Sequence, residues 1–183
     1  DIALPISEIN NIRREAIEKL NTLRANVNKR EKIYNKPLKL DKDFSIEDIE
    51  DTILSAYVNN IDQLEAVLTT DINRIYYSNI DDIEKAFDLA SKAKKLLIPA
   101  LSRITYDKEL EVIKGKKDIL IRNGHILLAN HGQLKIFMDD DINIHADFAF
   151  NIFNSLTARK LQELNVSKVT LSPELNSKQI KEL

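Results

Sequence analysis

The fold is decided by residues 53–77, which read ILSAYVNNIDQLEAVLTTDINRIYY. Ile53–Val58 is a short apolar run, and Ile72–Tyr77 is a second one that is rich in β-branched and aromatic residues. Between them, Ile61, Leu64, Val67 and Leu68 recur at helical spacing. Two strands joined by a helix predict a parallel pair, because parallel neighbours need a crossover connection.

The same alternation continues along the chain, with further strands predicted at Leu96–Leu101, Ile126–Ala129, Ile142–Phe148 and Lys168–Ser172. Helical spacing recurs around Phe87, over residues 107–122, around Leu161 and from Ser177. The sequence therefore predicts an α/β fold with an incomplete (β/α) TIM-barrel-like parallel sheet of about six strands. A closed barrel of this kind has eight strands, so we expect open sheet edges.

A long helix is predicted ahead of this sheet, over residues 8–33, with Ile9, Ile12 and Leu20 on a narrow apolar stripe. Residues 34–44 contain Pro37 and show no period, which is typical of a linker. We therefore predict two parts, an N-terminal helix with its linker at 1–44 and a partial barrel at 45–183. The chain starts with Asp1, so we expect it to be a piece of a longer protein.

Composition excludes several classes of protein. The chain has 27 Lys+Arg against 29 Asp+Glu, a formal charge of −2, which argues against a bulk polyanion binder. Because it has no cysteine, it forms no disulfide, and any iron–sulfur cluster would need cysteines from elsewhere. We therefore expect no cofactor on this chain. It has neither a long apolar run nor a signal-peptide pattern, and we expect a cytoplasmic protein without a membrane partner.

Five segments resemble one known family. They are PISEINNIRREA at 5–16, PALSRI at 99–104, NHG at 130–132, DFAFNIFNS at 147–155 and VTLSPEL at 169–175. Together, and in this order, they are similar to segments of the collagenase-like peptidase family U32. The resemblance implies a barrel-like fold from the later half of a larger member.

The resemblance also implies two kinds of function. Members of the family are known as peptidases or collagenases, while others support hydroxylation of an RNA base or of ubiquinone. The cysteine-containing segment that is diagnostic of the family is missing from this chain. We therefore expect a peptidase-family fragment that forms part of a substrate cleft and is not catalytically complete alone. The alternative is a module of an RNA-base hydroxylation protein whose cysteine-bearing part is absent.

Candidate site residues follow from the predicted sheet. In α/β barrels the functional loops lie at the carboxyl ends of the strands. The polar residues that follow the later strands are therefore candidates: Arg103, Asn130, His131, Asp147, Asn151, Asn154, Ser172 and Glu174. We expect Glu174 and Arg103 to be catalytic and expect Asn130, His131, Asn151, Asn154 and Asp147 to bind substrate.

Each candidate has a plainer interpretation. Glu174 is either a general acid–base group or a solvated loop carboxylate. Arg103 either clamps a carboxylate or phosphate group, or pairs with Glu174 or Asp147. Asn154 precedes a predicted helix, so N-capping is the favoured interpretation there. No such role is available for Asn151, which is either a site residue or an ordinary loop residue.

Metal, nucleophile and RNA sites are weaker hypotheses. His145 and Asp147 share a strand face and with His131 would make a two-histidine, one-carboxylate set, but we expect no metal site. His125, after Gly124, is expected at an edge or surface. No serine lies in a G-x-S-x-G motif. The basic residues of 13–42 either contact RNA or form a solvated helix face. The expected partners are the rest of the parent chain, a peptide or RNA substrate, and a second copy through the open sheet edge.

Overall fold

The computed structural model describes residues 5–27, 29 and 52–183. The chain divides into two units, Asp1–Asp48 and Ile49–Leu183. The predicted boundary after residue 44 lies outside the described residues and stays a prediction. In the first unit, α1 spans Ile6–Val27 and none of its residues is buried. No helix in the described ranges is long and apolar enough to cross a bilayer.

The second unit contains six short parallel strands, each of four residues. They are β1 (Ser55–Val58), β2 (Arg74–Tyr77), β3 (Leu96–Pro99), β4 (His125–Leu128), β5 (Asn143–Ala146) and β6 (Val166–Val169). The order is β1-β2-β3 in one sheet and β4-β5-β6 in the other. The described residues join the two sheets by one parallel bridge, Ala100 opposite Leu127. The result is the predicted α/β fold with an incomplete, barrel-like sheet.

Helices connect the strands in sequence. They are α2 (Ile61–Leu68), α3 (Ile83–Lys92), α4 (Asp107–Gly115), α5 (Lys117–Leu120), α6 (His131–Phe137), α7 (Ser155–Glu163) and α8 (Ser177–Glu182). A short 3₁₀ turn, η1 (Phe148–Phe150), follows β5. Every connection between strands carries a helix, as parallel pairing requires.

The core lies on the helix-covered face of the strands. Alternate strand residues such as Ile75, Leu97 and Ile126 pack there against Phe87 and Phe137 of the helices. The opposite face, which we call the inner face, carries a smaller apolar cluster of Ile98, Ala100 and Leu127 with Tyr76 and Leu96 against it. Because strand side chains alternate, each strand contributes to both faces.

Three local predictions need correction. Helix α6 was not predicted between the fourth and fifth strands, because it has seven residues and includes Gly132. The single helix predicted over 107–122 is two helices, α4 and α5, separated at Lys116 after Gly115. The sixth strand was predicted at Lys168–Ser172 but begins two residues earlier, at Val166.

Candidate substrate-binding mouth at the carboxyl edge

Three asparagines at the carboxyl edge of the strands begin helices. Asn60, Asn130 and Asn154 have extended backbones, and the Oδ1 of each accepts a hydrogen bond from the backbone N–H three residues later. An asparagine in this position satisfies an N–H that the first helical turn leaves without a partner. The favoured interpretation of Asn154 as an N-cap is confirmed, and Asn130 has the same role.

Asn130 also holds the β3–α4 loop. Its Nδ2 donates to the carbonyl oxygen of Arg103 at 3.3 Å and to Thr105 Oγ1 at 3.1 Å. Its Oδ1 accepts from Gln133 N–H at 2.9 Å. Both the oxygen and the nitrogen of this side-chain amide are therefore hydrogen-bonded within the protein, and Asn130 positions the loop that carries Arg103.

Gln133 ties the same loop more tightly. Its side chain is 0% exposed. Its Nε2 donates to the Ser102 carbonyl oxygen at 2.8 Å and to Thr105 Oγ1 at 2.6 Å, while its Oε1 accepts from Ala129 N–H at 2.8 Å. A buried amide with all these bonds fixes its surroundings, since losing any partner would leave a polar group unsatisfied.

Arg103 is exposed at this edge. Its guanidinium carbon lies 6.0 Å from the centroid of the Phe148 ring, so a side chain from the loop after β3 reaches the turn after β5. The favoured interpretation of Arg103, an ion pair with Glu174 or Asp147, is wrong, because no such pair within 4 Å occurs among the described residues. The guanidinium therefore faces solvent with its donors open to an external anion.

The segment after β5 holds three of the candidates. Asp147 Oδ1 accepts from Phe148 N–H at 2.8 Å and caps the turn η1. Asn151 ends that turn with φ 52° and ψ 55°, a left-handed conformation that asparagine tolerates better than most residues. No capping role was expected for Asn151, but this left-handed position at the end of η1 gives it a structural one.

The loop after β6 carries Ser172 and Glu174. Ser172 is buried, and its backbone N–H donates to the carbonyl oxygen of Ile152 at 3.1 Å. This bond fixes the loop against the segment after β5. Glu174 is exposed and its backbone N–H lies 3.4 Å from Ser172 Oγ. Its carboxylate is therefore at the same edge as Arg103, in solvent.

His131 is separated from the other histidines in its contacts. It lies at the start of α6, with its ring edge-on to Phe150 at a centroid distance of 5.0 Å. His145 instead contacts Tyr76 and His125 on the inner face. The alternative of a metal set from His131, His145 and Asp147 gains no support, since the described residues contain no group of three such side chains spaced for a metal ion.

A cavity of about 320 Å³ opens at the carboxyl edge and is lined by Ser102 and Ile104, the chain neighbours of Arg103, but not by Arg103 itself. Leu101, Ile104, Val112 and Ile113 supply apolar lining, and the polar lining comes from Ser78, Asn79, Asp81, Ser102, Thr105 and Glu109. A concave cavity with mixed apolar and polar lining can take a small ligand or a side chain whose polar groups pair at the wall.

The comparison with known families concerns most of the second unit. The family model described as Peptidase family U32 matches residues 72–183, which is more than half of the chain. The chain belongs to peptidase family U32. No curated protein and no solved structure matches it significantly. The family U32 match contains all the candidate site residues and begins after the resembling segment at 5–16.

Sequence reasoning missed Gln133 in this family U32 domain. A signal for it was present, because Asn130-x-x-Gln133 repeats the spacing of Asn60-x-x-Gln63 at the end of β1. In both, the glutamine Oε1 accepts a backbone N–H just ahead of the asparagine, from Ala129 and Asn59. This arrangement differs from a capping box in that the glutamine bonds the N–H one residue before the cap, but the Asn-x-x-Gln spacing is the same signal for a helix start and would have predicted α6 as well.

Proposed function

We propose that this domain forms part of the peptide-binding cleft of a family U32 peptidase and is not catalytically complete on its own. The observation that carries the proposal is Arg103, an exposed guanidinium without an ion pair among the described residues, on a loop fixed by Gln133. The adjacent cavity is large enough for one apolar side chain. Membership of family U32 supports a peptide as the substrate class.

The roles follow from the chemistry of each group. Arg103 binds a carboxylate of the peptide, from an acidic side chain or a chain end, through parallel N–H donors. The cavity takes a neighbouring apolar side chain. Glu174 is the proposed acid–base group, and Asp147 the second carboxylate of the mouth. Asn130 and Asn154 act by holding the loops, and Asn151 and His131 line the rim.

Binding of a fluorescently labelled acidic peptide tests the proposal, by anisotropy with the full chain. Replacing Arg103 with alanine should weaken binding about tenfold, since a charge-assisted hydrogen bond contributes about 1.5–3 kcal/mol. R103K should recover part of the loss. Arg122 is the matched control, because it also lies over an aromatic ring, Phe87, but precedes β4 at the opposite edge. Equal losses in R103A and R122A would contradict the proposal.

Catalytic incompleteness has its own test. We expect the chain alone not to hydrolyse gelatin or casein in a zymogram. Hydrolysis that is lost in Glu174→Gln would show a complete enzyme and would refute this part of the proposal, while supporting the role of Glu174.

The RNA-module alternative makes a different prediction. It relies on the basic residues of 13–42, of which Arg13, Arg14, Lys19 and Arg24 lie in α1. Phosphate contacts make RNA binding fall steeply with salt concentration. Salt-sensitive RNA retention by the full chain, weakened by R13A/R14A, would favour the alternative over the peptidase cleft.

We further propose that the domain works in the cytoplasm beside other parts of a longer chain. Among the described residues, β1 pairs only with β2 and β6 only with β5, so each leaves one edge of backbone groups without a strand partner. Such edges pair readily with another strand. Concentration-dependent sedimentation would reveal a second copy there, and a monomer at all concentrations would exclude self-pairing.

A further inference from the structure

The inner face of the sheet is more polar than barrel interiors usually are. Such interiors are mostly filled by branched aliphatic side chains. Here the apolar cluster of Ile98, Ala100 and Leu127 is small. Beside it lie polar side chains of β2, β4, β5 and β6, which we call the inner polar cluster: Arg74, Tyr76, His125, His145 and Lys168.

His145 is the centre of the inner polar cluster. It is 2% exposed, and its Nδ1 lies 2.9 Å from the Tyr76 hydroxyl. Its ring is edge-on to Tyr76 and to His125, at centroid distances of 5.8 and 5.5 Å. Lys168 lies opposite His145 in the β5–β6 register. Tyr76 of β2 and His125 of β4 therefore contact the imidazole of His145 in β5, and Lys168 of β6 is its neighbour in register.

Three buried nitrogens in this cluster have no hydrogen-bond partner among the described residues. They are Arg74 Nε, His125 Nδ1 and His145 Nε2. Buried polar atoms are paired in nearly all proteins, because leaving one unpaired costs its full desolvation. Three polar nitrogens that no described group pairs therefore lie in one cluster, where they are available to hydrogen-bond a ligand.

The charges of the cluster select the ligand. Burial first, then Lys168, His125 and Arg74, lower the pKa of His145 to about 4, so at neutral pH the imidazole is uncharged. Arg74 and Lys168 remain as two positive charges. The acidic group that acts electrostatically on Tyr76 is the carboxylate of Asp147, just after the carboxyl end of β5. A metal cation is disfavoured beside two such charges, whereas an anion is favoured.

We propose that the inner polar cluster binds an oxyanion, the carboxylate or phosphate group of a small molecule. Arg74 Nε–H and the Lys168 ammonium donate to the oxyanion. His145 Nε2–H donates too, in the tautomer whose Nδ1 accepts from the Tyr76 hydroxyl. The site does not use Arg103 or the adjacent cavity, so its failure would leave the proposed peptide cleft standing.

Titration calorimetry at low ionic strength tests this with the full chain, using inorganic phosphate and succinate as separate probes. We expect saturable binding of at least one of them, and the preferred probe identifies the group. Lys168→Ala should weaken binding about tenfold, and Arg74→Gln at least as much. Lys168 is exposed, so its removal should leave folding intact. Lys135, an exposed lysine of α6, is the matched control, and K135A should bind like the wild type.

NMR of the histidine ring nitrogens shows where the probe binds. The His145 nitrogen resonances should shift on addition of the probe, with the same saturation as the heat. Two results would overturn the proposal. One is no saturable binding of either probe. The other is saturable binding that K168A and K135A weaken equally or that leaves His145 unshifted.

Discussion

Gln133 offers the sharpest test of how the mouth is held. Gln133→Leu keeps the size and burial of the side chain but removes three hydrogen bonds, to Ala129 N–H, the Ser102 carbonyl and Thr105 Oγ1. Each bond contributes about 1 kcal/mol net, and the partners left behind are partly buried, so we expect a loss of about 3 kcal/mol in the free energy of unfolding. For a chain of this size, that lowers the melting temperature by about 10 °C.

The control is the same substitution in the matching motif. Gln63 is exposed and its Oε1 accepts one hydrogen bond, from Asn59 N–H at 2.7 Å. Gln63→Leu should therefore cost about 0.5–1 kcal/mol. Urea denaturation followed by circular dichroism measures both losses. Equal losses in the two variants, or a loss below about 1 kcal/mol in Q133L, would refute the reasoning.

A local readout separates loosening of the loop from general instability. Trypsin cleaves after arginine, and Arg103 lies between the two loop residues that Gln133 holds, Ser102 and Thr105. Under native conditions, Q133L should be cut at Arg103 faster than the wild type, while Q63L should not. Mass spectrometry of the fragments identifies the site. Unchanged cleavage at Arg103 in a destabilised Q133L would show that Gln133 does not hold the loop.

Two further predictions concern Asn154 and His145. Asn154→Ala should lower the free energy of unfolding by about 1 kcal/mol, because the Thr157 N–H loses its capping oxygen. Asn154→Asp keeps a capping oxygen and should retain most of the wild-type stability. Urea denaturation measures both variants, and equal stability of all three proteins would contradict capping. The pKa of His145 is lowered to about 4 from its ordinary 6.5, so the unfolded chain binds a proton that the folded chain rejects between those values. The free energy of unfolding should therefore fall as pH drops from 6.5 towards 4, and less steeply in His145→Gln; parallel pH profiles would contradict it.

The strands were predictable because their signal is local. All six predicted strands are present, since short apolar or β-branched runs between turn residues need no tertiary information. Gly124 ends the helical segment before β4 with φ 70°, a conformation that glycine adopts without steric cost. Helix α6 was not predictable from apolar spacing over seven residues, and its signal was the Asn130-x-x-Gln133 pair instead.

The site was less predictable because it depends on which side chains hydrogen-bond to one another in the folded chain. The sequence placed Arg103, Asn130 and Glu174 after parallel strands, and the topology puts those strand ends at one edge. The sequence could not show that the side-chain amide of Asn130 donates to the Arg103 carbonyl oxygen and to Thr105 Oγ1. His125 was expected at an edge or surface, and it is half-buried at the start of β4, an outer strand of its sheet; the sequence did not show that its ring contacts His145.

The junction between β3 and β4 has a consequence for how the domain unfolds. Elsewhere neighbouring strands pair through three or four residues each, but here one bridge is supplemented by side-chain amides: Asn123 to the Leu97 carbonyl, and Gln133 to Ser102. Hydrogen-bonded coupling between the two sheets therefore depends on one bridge and a few side chains, while a single apolar core contains residues of both sheets. Single substitutions at Asn123 or Gln133 can therefore remove or restore hydrogen bonds between the two sheets without changing the strand pairing within either sheet.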